Sequence, residues 1–119
     1  MRVIAGFVLL ALVAGSALAA PISKLAPPDI QAAFFTGQAF TASTPSNVKY
    51  KMTFTADGKV TREPMARGGA KGEGTWALSK EGFCTTWKNA KANCFTLVSA
   101  GENKWSVMKG STLIAVWMK

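Results

Sequence analysis

The chain has 119 residues, 49% of them hydrophobic, and it carries 14 lysine and arginine residues against six acidic residues. This length suits one small domain, and the formal net charge of +8 favours anionic partners over cationic ones. The chain contains no histidine, which excludes Ser–His and Cys–His nucleophilic pairs, and two cysteines alone do not complete a tetrahedral zinc site. We therefore expect that the protein is not an enzyme and that it has no metal site and no cofactor.

The first 19 residues have the layout of a secretory signal peptide. Arg2 supplies a positive charge, residues 3–14 form an apolar run, and residues 17–19 read Ala-Leu-Ala, a cleavage site of small residues. The run is too short for the ~20 residues that span a bilayer. We expect cleavage after Ala19, a single mature domain over residues 20–119, and a periplasmic or secreted location. Loss of Arg2 lowers the charge of +8 by one, to +7.

The mature sequence begins with the signals of one short helix. Two prolines and an aspartate at 27–29 suit a first helical turn, where prolines cost no hydrogen bond and a negative charge meets the positive end of the helix dipole. Apolar residues at 30, 33 and 34 recur at helical spacing, and Gly37 suits the position beyond the C-terminus. We predict a helix over 27–36 that closes one end of a barrel or packs on a sheet.

After Gly37 the hydrophobic period changes to two, which predicts β-strands. Residues 48–55 alternate between apolar and polar side chains, and Asp57-Gly58 supplies a tight hairpin turn. We expect strands at about 38–43, 48–55, 59–63, 73–79, 83–88, 94–99, 104–108 and 112–118. About eight short strands in sequential hairpins indicate an all-β domain. Because closure removes exposed edges, we predict a small antiparallel meander barrel or curled sheet preceded by one short helix, with a two-sheet sandwich as the alternative.

The two cysteines fall in neighbouring predicted strands. An exported chain meets an oxidising compartment, and with only two cysteines the pairing is unambiguous. We expect the disulfide Cys84–Cys94 to join these strands and, by closing a loop of about 10 residues, to stabilise the fold by about 2–3 kcal/mol. The alternative is a pair of separate buried thiols.

Candidate binding residues lie in two predicted loops. Trp87, Lys88 and Lys91 lie near the tip of the second hairpin, where an exposed indole beside lysines suits a glycan, lipid or protein partner. Arg67 and Lys71 belong to a glycine-rich loop over 67–72. For the tryptophans the alternative is core packing, and for the scattered lysines it is an ordinary solvated surface. We expect an anionic envelope component or an acidic protein as the partner, no nucleic acid, and no transmembrane segment after signal removal.

A family resemblance covers most of the mature chain. Its pieces are Asp57-Gly58, Gly74-Thr75-Trp76, Phe83-Cys84-Thr85-Thr86-Trp87 and Asn93-Cys94-Phe95. Their order resembles that of small exported proteins from Gram-negative, chiefly alphaproteobacterial, bacteria, a group classed as a domain of unknown function. The resemblance implies a periplasmic or secreted protein and supplies no catalytic residues.

The glycine-rich loop carries a second, weaker resemblance. Gly68-Gly69-Ala70-Lys71, followed by Trp76 and Cys84, is similar to the loop of periplasmic inhibitors, small disulfide-bearing barrels that block lysozymes or metalloproteases. The serine of that loop is absent here, since glycines stand in its place. The sequence thus predicts an exported binding module for an anionic or amphiphilic envelope component, with an inhibitor of a lysozyme or protease as the alternative.

Overall fold

The computed structural model describes residues 23–119, so the predicted signal peptide and its cleavage site lie outside the described residues. Helix α1 spans Pro27–Phe34. Eight strands follow: β1 Phe40–Ser43, β2 Lys49–Phe54, β3 Lys59–Pro64, β4 Gly72–Leu78, β5 Phe83–Trp87, β6 Ala92–Gly101, β7 Lys104–Lys109 and β8 Thr112–Met118. Each strand pairs antiparallel with the next, and β1 pairs with β8, which closes the barrel. The predicted all-β meander barrel with one leading helix is confirmed, and the sandwich alternative is wrong.

Side chains alternate between the inside and the outside of the barrel. On β2, Met52 and Phe54 are buried while Lys51 is exposed. The predicted alternation is therefore correct except at its start, because Val48 precedes β2 and is 43% exposed. The buried apolar core comprises Ile30, Phe34, Phe35, Phe40, Ala42, Met52, Phe54, Val60, Phe83, Leu97, Val107 and Trp117.

Helix α1 closes one end of the barrel, as its apolar face predicted. The Phe34 ring packs edge-on against Trp105, with 4.9 Å between ring centroids, and Phe35 stacks on Phe54 at 4.3 Å. The helix ends two residues earlier than expected. Gly37 then adopts a positive φ of 90°, and its N–H donates to the Phe54 carbonyl at 2.8 Å, which leads the chain into β1.

The loops of the antiparallel meander lie alternately at the two ends of the barrel. Because β1 starts beside the helix, the loops at 55–58, 79–82 and 102–103 return to that closed end. The loops at 44–48, 65–71, 88–91 and 110–111 lie at the opposite end, hereafter the open end. Helix α1 is the one helix described in residues 23–119, and with eight residues it is too short to span a bilayer.

The disulfide Cys84–Cys94 is present as predicted. Cys84 on β5 stands directly opposite Cys94 on β6, with 3.9 Å between their Cα atoms. Phe83 and Thr85 are buried on the inside of β5, so the disulfide lies on the outer surface of the barrel. The alternative of separate buried thiols is therefore wrong.

The segment before the helix also belongs to the barrel, which the sequence did not indicate. Ser23 accepts a hydrogen bond from the Ser99 N–H at 2.8 Å, and the Leu25 N–H donates to Leu97 at 2.8 Å. Lys24 donates to Glu81 at 2.6 Å, and this hydrogen bond, with the attraction of the ammonium charge, lowers the pKa of Glu81. The segment thereby runs along β6 at the closed end.

Candidate functional site

A cavity of about 170 Å³ occupies the interior of the barrel toward the open end. The rings of Phe54, Phe83 and Trp117 lie between it and helix α1. The lining residues toward the open end are Thr44, Tyr50, Arg62, Trp87 and Ile114. Most of the lining is aliphatic or aromatic. Such a cavity can hold an apolar group whose polar end remains near the open end.

Arg62 brings a positive charge to the mouth of this apolar cavity. On β3, Val60 is fully buried and Arg62 follows two residues later, so both project inward. The guanidinium carbon lies 4.3 Å from the ring centroid of Trp87 and 5.5 Å from that of Tyr50. Both distances fit cation–π contacts. Among the ion pairs between residues 23–119, none involves Arg62, so its donors remain available to an anionic group.

Two glycines lie on β4 between Arg62 and Trp87, and one of them, Gly72, leaves room for the arginine side chain. Gly72 stands opposite Arg62, and Gly74 stands opposite Trp87. A Cβ atom on Gly72 would lie 2.9 Å from Nε and 3.1 Å from Cγ of Arg62. A Cβ atom on Gly74 would instead collide with the Thr86 carbonyl oxygen and lie 3.0 Å from Cα of Trp87, so this glycine allows the close pairing of β4 with β5. The arginine side chain therefore crosses β4 beside Gly72, where no side chain occupies the space.

Thr85 adds a buried hydroxyl to the cavity wall. It is 4% exposed, projects inward from β5 between Phe83 and Trp87, and is the one polar residue in the buried set of residues 23–119. Within that part of the chain, no protein group forms a hydrogen bond with its hydroxyl. Buried polar groups ordinarily have a partner, so this hydroxyl is suited to meet a polar atom of a ligand.

All five binding residues predicted from the sequence lie at or near the open end, but their settings differ. Trp87 is half-buried and lines the cavity, so it is not the exposed indole that the hairpin tip suggested. Lys88 and Lys91 are exposed in the loop between β5 and β6, and Arg67 is exposed in the loop before β4. Lys71, in the same loop as Arg67, is exposed and lies 3.5 Å from a Glu63 carboxylate oxygen.

Arg62 is not among the binding residues predicted from the sequence, although a signal for its inward position was present. Val60, Arg62 and Pro64 share one side of a strand whose other side carries Lys59, Thr61 and Glu63. Since Val60 marks the inner side, the period of two places Arg62 inside as well.

The acidic residues occupy places that suit structural roles. Glu63 lies 3.5 Å from Lys51 as well as from Lys71, on the outer surface of β3. A hydrogen bond from Thr55 lowers the pKa of Asp57, which sits in the hairpin turn at the closed end. In the range 23–119, no group of three Cys, Asp or Glu side chains could hold a metal ion.

Comparison of the chain with protein-family models, with curated proteins and with solved structures finds no match. The two resemblances seen in the sequence therefore stay predictions. The cavity, its arginine and the surrounding charges are the observations from which a function can be argued.

Proposed function

We propose that this protein binds a small anionic amphiphile inside its barrel and acts in the periplasm or outside the cell as a binding module, not as an enzyme. The observation that carries the proposal is Arg62, which lies against Trp87 at the mouth of an apolar cavity and has no acidic partner among residues 23–119. A charged group in such a place is costly unless an anion meets it. A carboxylate or phosphate headgroup would supply that anion.

The anionic part and the apolar part of such a ligand would contact different residues of the cavity. The guanidinium can donate two parallel hydrogen bonds to a carboxylate, and contacts of this kind are about twice as strong as neutral ones. The apolar part would lie among Met52, Phe83 and Val107, where each buried CH₂ group contributes about 0.8 kcal/mol. Thr85 can donate a further hydrogen bond from the wall.

The volume of the cavity limits the size of the ligand. A cavity of about 170 Å³ is close to the ~150 Å³ apolar cavity that takes up benzene in another protein. One ring or an aliphatic tail of about six carbons therefore fits inside. The tails of a diacyl lipid would extend beyond the barrel, so the proposal favours a short monoanion.

Calorimetric titration with hexanoate and with 1-hexanol tests the proposal, because the two ligands differ chiefly in charge. We expect hexanoate to bind about 10- to 100-fold more tightly, which corresponds to hydrogen bonds with charged groups of roughly 1.5–3 kcal/mol. Arg62→Gln should abolish this preference. Lys51→Gln is the matched control, since Lys51 projects outward from the neighbouring strand and pairs with Glu63. Equal affinities for the two ligands, or equal effects of the two variants, would contradict the proposal.

The alternative function, inhibition of a lysozyme or protease by the loop at 67–72, has less support from the geometry. Lys71 is engaged by Glu63, and Gly69 packs against the Pro64 ring, so the loop is held to the barrel near β3. The Lys71→Glu variant in a lysozyme or protease inhibition assay tests this alternative. Inhibition that the substitution leaves unchanged would contradict a role for the loop.

A further inference from the structure

The charged side chains of residues 23–119 are distributed unequally between the two ends of the barrel. The half toward the open end has eight cations and two anions, a net charge of +6: Lys49, Lys51, Arg62, Arg67, Lys71, Lys88, Lys91 and Lys109, with Glu63 and Glu73. The closed half has five cations and four anions, a net charge of +1: Lys24, Lys59, Lys80, Lys104 and Lys119, with Asp29, Asp57, Glu81 and Glu102. The positive field of the protein is therefore directed outward from the mouth of the cavity.

Large apolar side chains are exposed at the same end. Val48, Met65 and Leu113 are 43%, 60% and 40% exposed, and all three lie in or beside the turns of the open end. They come from β8 and the β1–β2 and β3–β4 connections, which are neighbours around the barrel. In the described part of the chain, the closed end has one such residue, Leu78, at 37%.

We infer that the open end docks onto the surface of an anionic lipid bilayer. Lysines near such a surface are attracted by its negative potential, and protruding apolar side chains can enter the boundary between headgroups and acyl chains. An acidic protein or a polyanion would complement the charge of the lysines but would not account for the exposed apolar side chains of Met65 and Leu113. In this orientation the mouth of the cavity faces the lipid. The inference goes beyond the proposed function, since it rests on the surface residues and not on the cavity's ligand.

Co-sedimentation of the exported, oxidised chain with lipid vesicles tests the inference. We expect binding to vesicles of equal parts phosphatidylglycerol and phosphatidylcholine, weakening as salt is added, and little binding to phosphatidylcholine alone. Each lysine near the surface is worth about a fivefold change in affinity. Lys88→Glu with Lys91→Glu should therefore weaken binding by about 25-fold or more, whereas the matched closed-end pair, Lys80→Glu with Lys104→Glu, should weaken it far less.

A second variant separates a bilayer from a merely acidic partner. Met65→Ser combined with Leu113→Ser should lower the affinity for the anionic vesicles and leave binding to polyglutamate unchanged. Equal losses for the open-end and closed-end charge variants would overturn the inference, because binding would then follow net charge alone. It would also be overturned if the apolar variant kept full vesicle binding. Hexanoate binding is measured without vesicles, so failure of docking and failure of the cavity proposal are separate results.

Discussion

Replacing Gly72 with alanine should displace Arg62 without touching the arginine itself. The new Cβ atom would lie 2.9 Å from Nε and 3.1 Å from Cγ of Arg62, closer than van der Waals contact allows. Because Gly72 is paired with Arg62 in the ladder between β3 and β4, a large backbone shift would break the pairing. We therefore expect the arginine side chain to move, and the guanidinium to leave the Trp87 ring.

Two opposing effects set the size of the change in stability. Alanine in place of glycine within a strand stabilises the fold by about 0.5–1 kcal/mol through the lower entropy of the unfolded chain. Loss of the contact between Arg62 and Trp87 costs about 0.5–2 kcal/mol. In the Arg62→Ala background the second effect is absent, so Gly72→Ala should there only stabilise. The double-mutant cycle should therefore give a coupling energy of about 0.5–2 kcal/mol.

Urea unfolding of the four proteins of this cycle, followed by tryptophan fluorescence, gives the coupling energy directly. Titration of the Gly72→Ala protein with hexanoate and 1-hexanol tests the effect on binding. The preference of this variant for hexanoate should fall toward the preference of the Arg62→Gln variant. The same effect of Gly72→Ala in both backgrounds would refute the reasoning, because the glycine would then not be making room for the arginine.

Three further outcomes follow from the fold. Reduction of Cys84–Cys94, which closes a loop of 10 residues, should lower the free energy of unfolding by about 2–3 kcal/mol; an unchanged urea midpoint in reductant would contradict this. Phe34→Ala should cost about 3–5 kcal/mol, because the ring is 1% exposed and packs on three other rings; a loss below about 1 kcal/mol would mean that the helix does not close the barrel. The hydrogen bond from Lys24 lowers the folded-state pKa of Glu81 below the ordinary value of a glutamate, about 4.3. The Glu81–Lys24 pair therefore stabilises the fold at pH values above about 4.3, and this stabilisation is lost as the pH falls through the folded-state pKa. The protection of the amides along 23–25, taken relative to their intrinsic exchange rate at each pH, should therefore fall as the pH drops through the folded pKa of Glu81, and Glu81→Gln should abolish this fall in protection.

Local signals in the sequence were sufficient for the elements of this fold. The prolines at 27 and 28 and Gly37 bracket the helix, the turn at Asp57-Gly58 joins β2 to β3, and the spacing of the cysteines predicts their pairing. Each of these features depends on residues close together in the chain. Closure of the barrel depends instead on pairing between β1 and β8, which lie more than sixty residues apart, and could be predicted only as a way to remove exposed edges.

The candidate site was harder to predict because it depends on three strands at once. The neighbours Lys88 and Lys91 suggested that Trp87 is a surface residue, but it lies two residues after the buried Thr85 on β5 and therefore projects into the barrel. Gly72 gave no sign in the sequence that it leaves space for an arginine from the preceding strand. The period of two could have placed Arg62 inside, but not against Trp87, because that contact requires the register of β3, β4 and β5 together.

The most direct test of the central claim is a nuclear magnetic resonance titration of the isotope-labelled protein with hexanoate. The account predicts that the largest shifts occur at the Arg62 Nε–H, the Trp87 indole N–H and the Thr85 amide, all from residues that line the cavity. It also predicts that 1-hexanol leaves the Arg62 signal nearly unchanged. Shifts confined to the exposed lysine loops, or no shifts at about 10 mM hexanoate, where even a weak ligand with Kd near 1 mM would saturate the site, would contradict it.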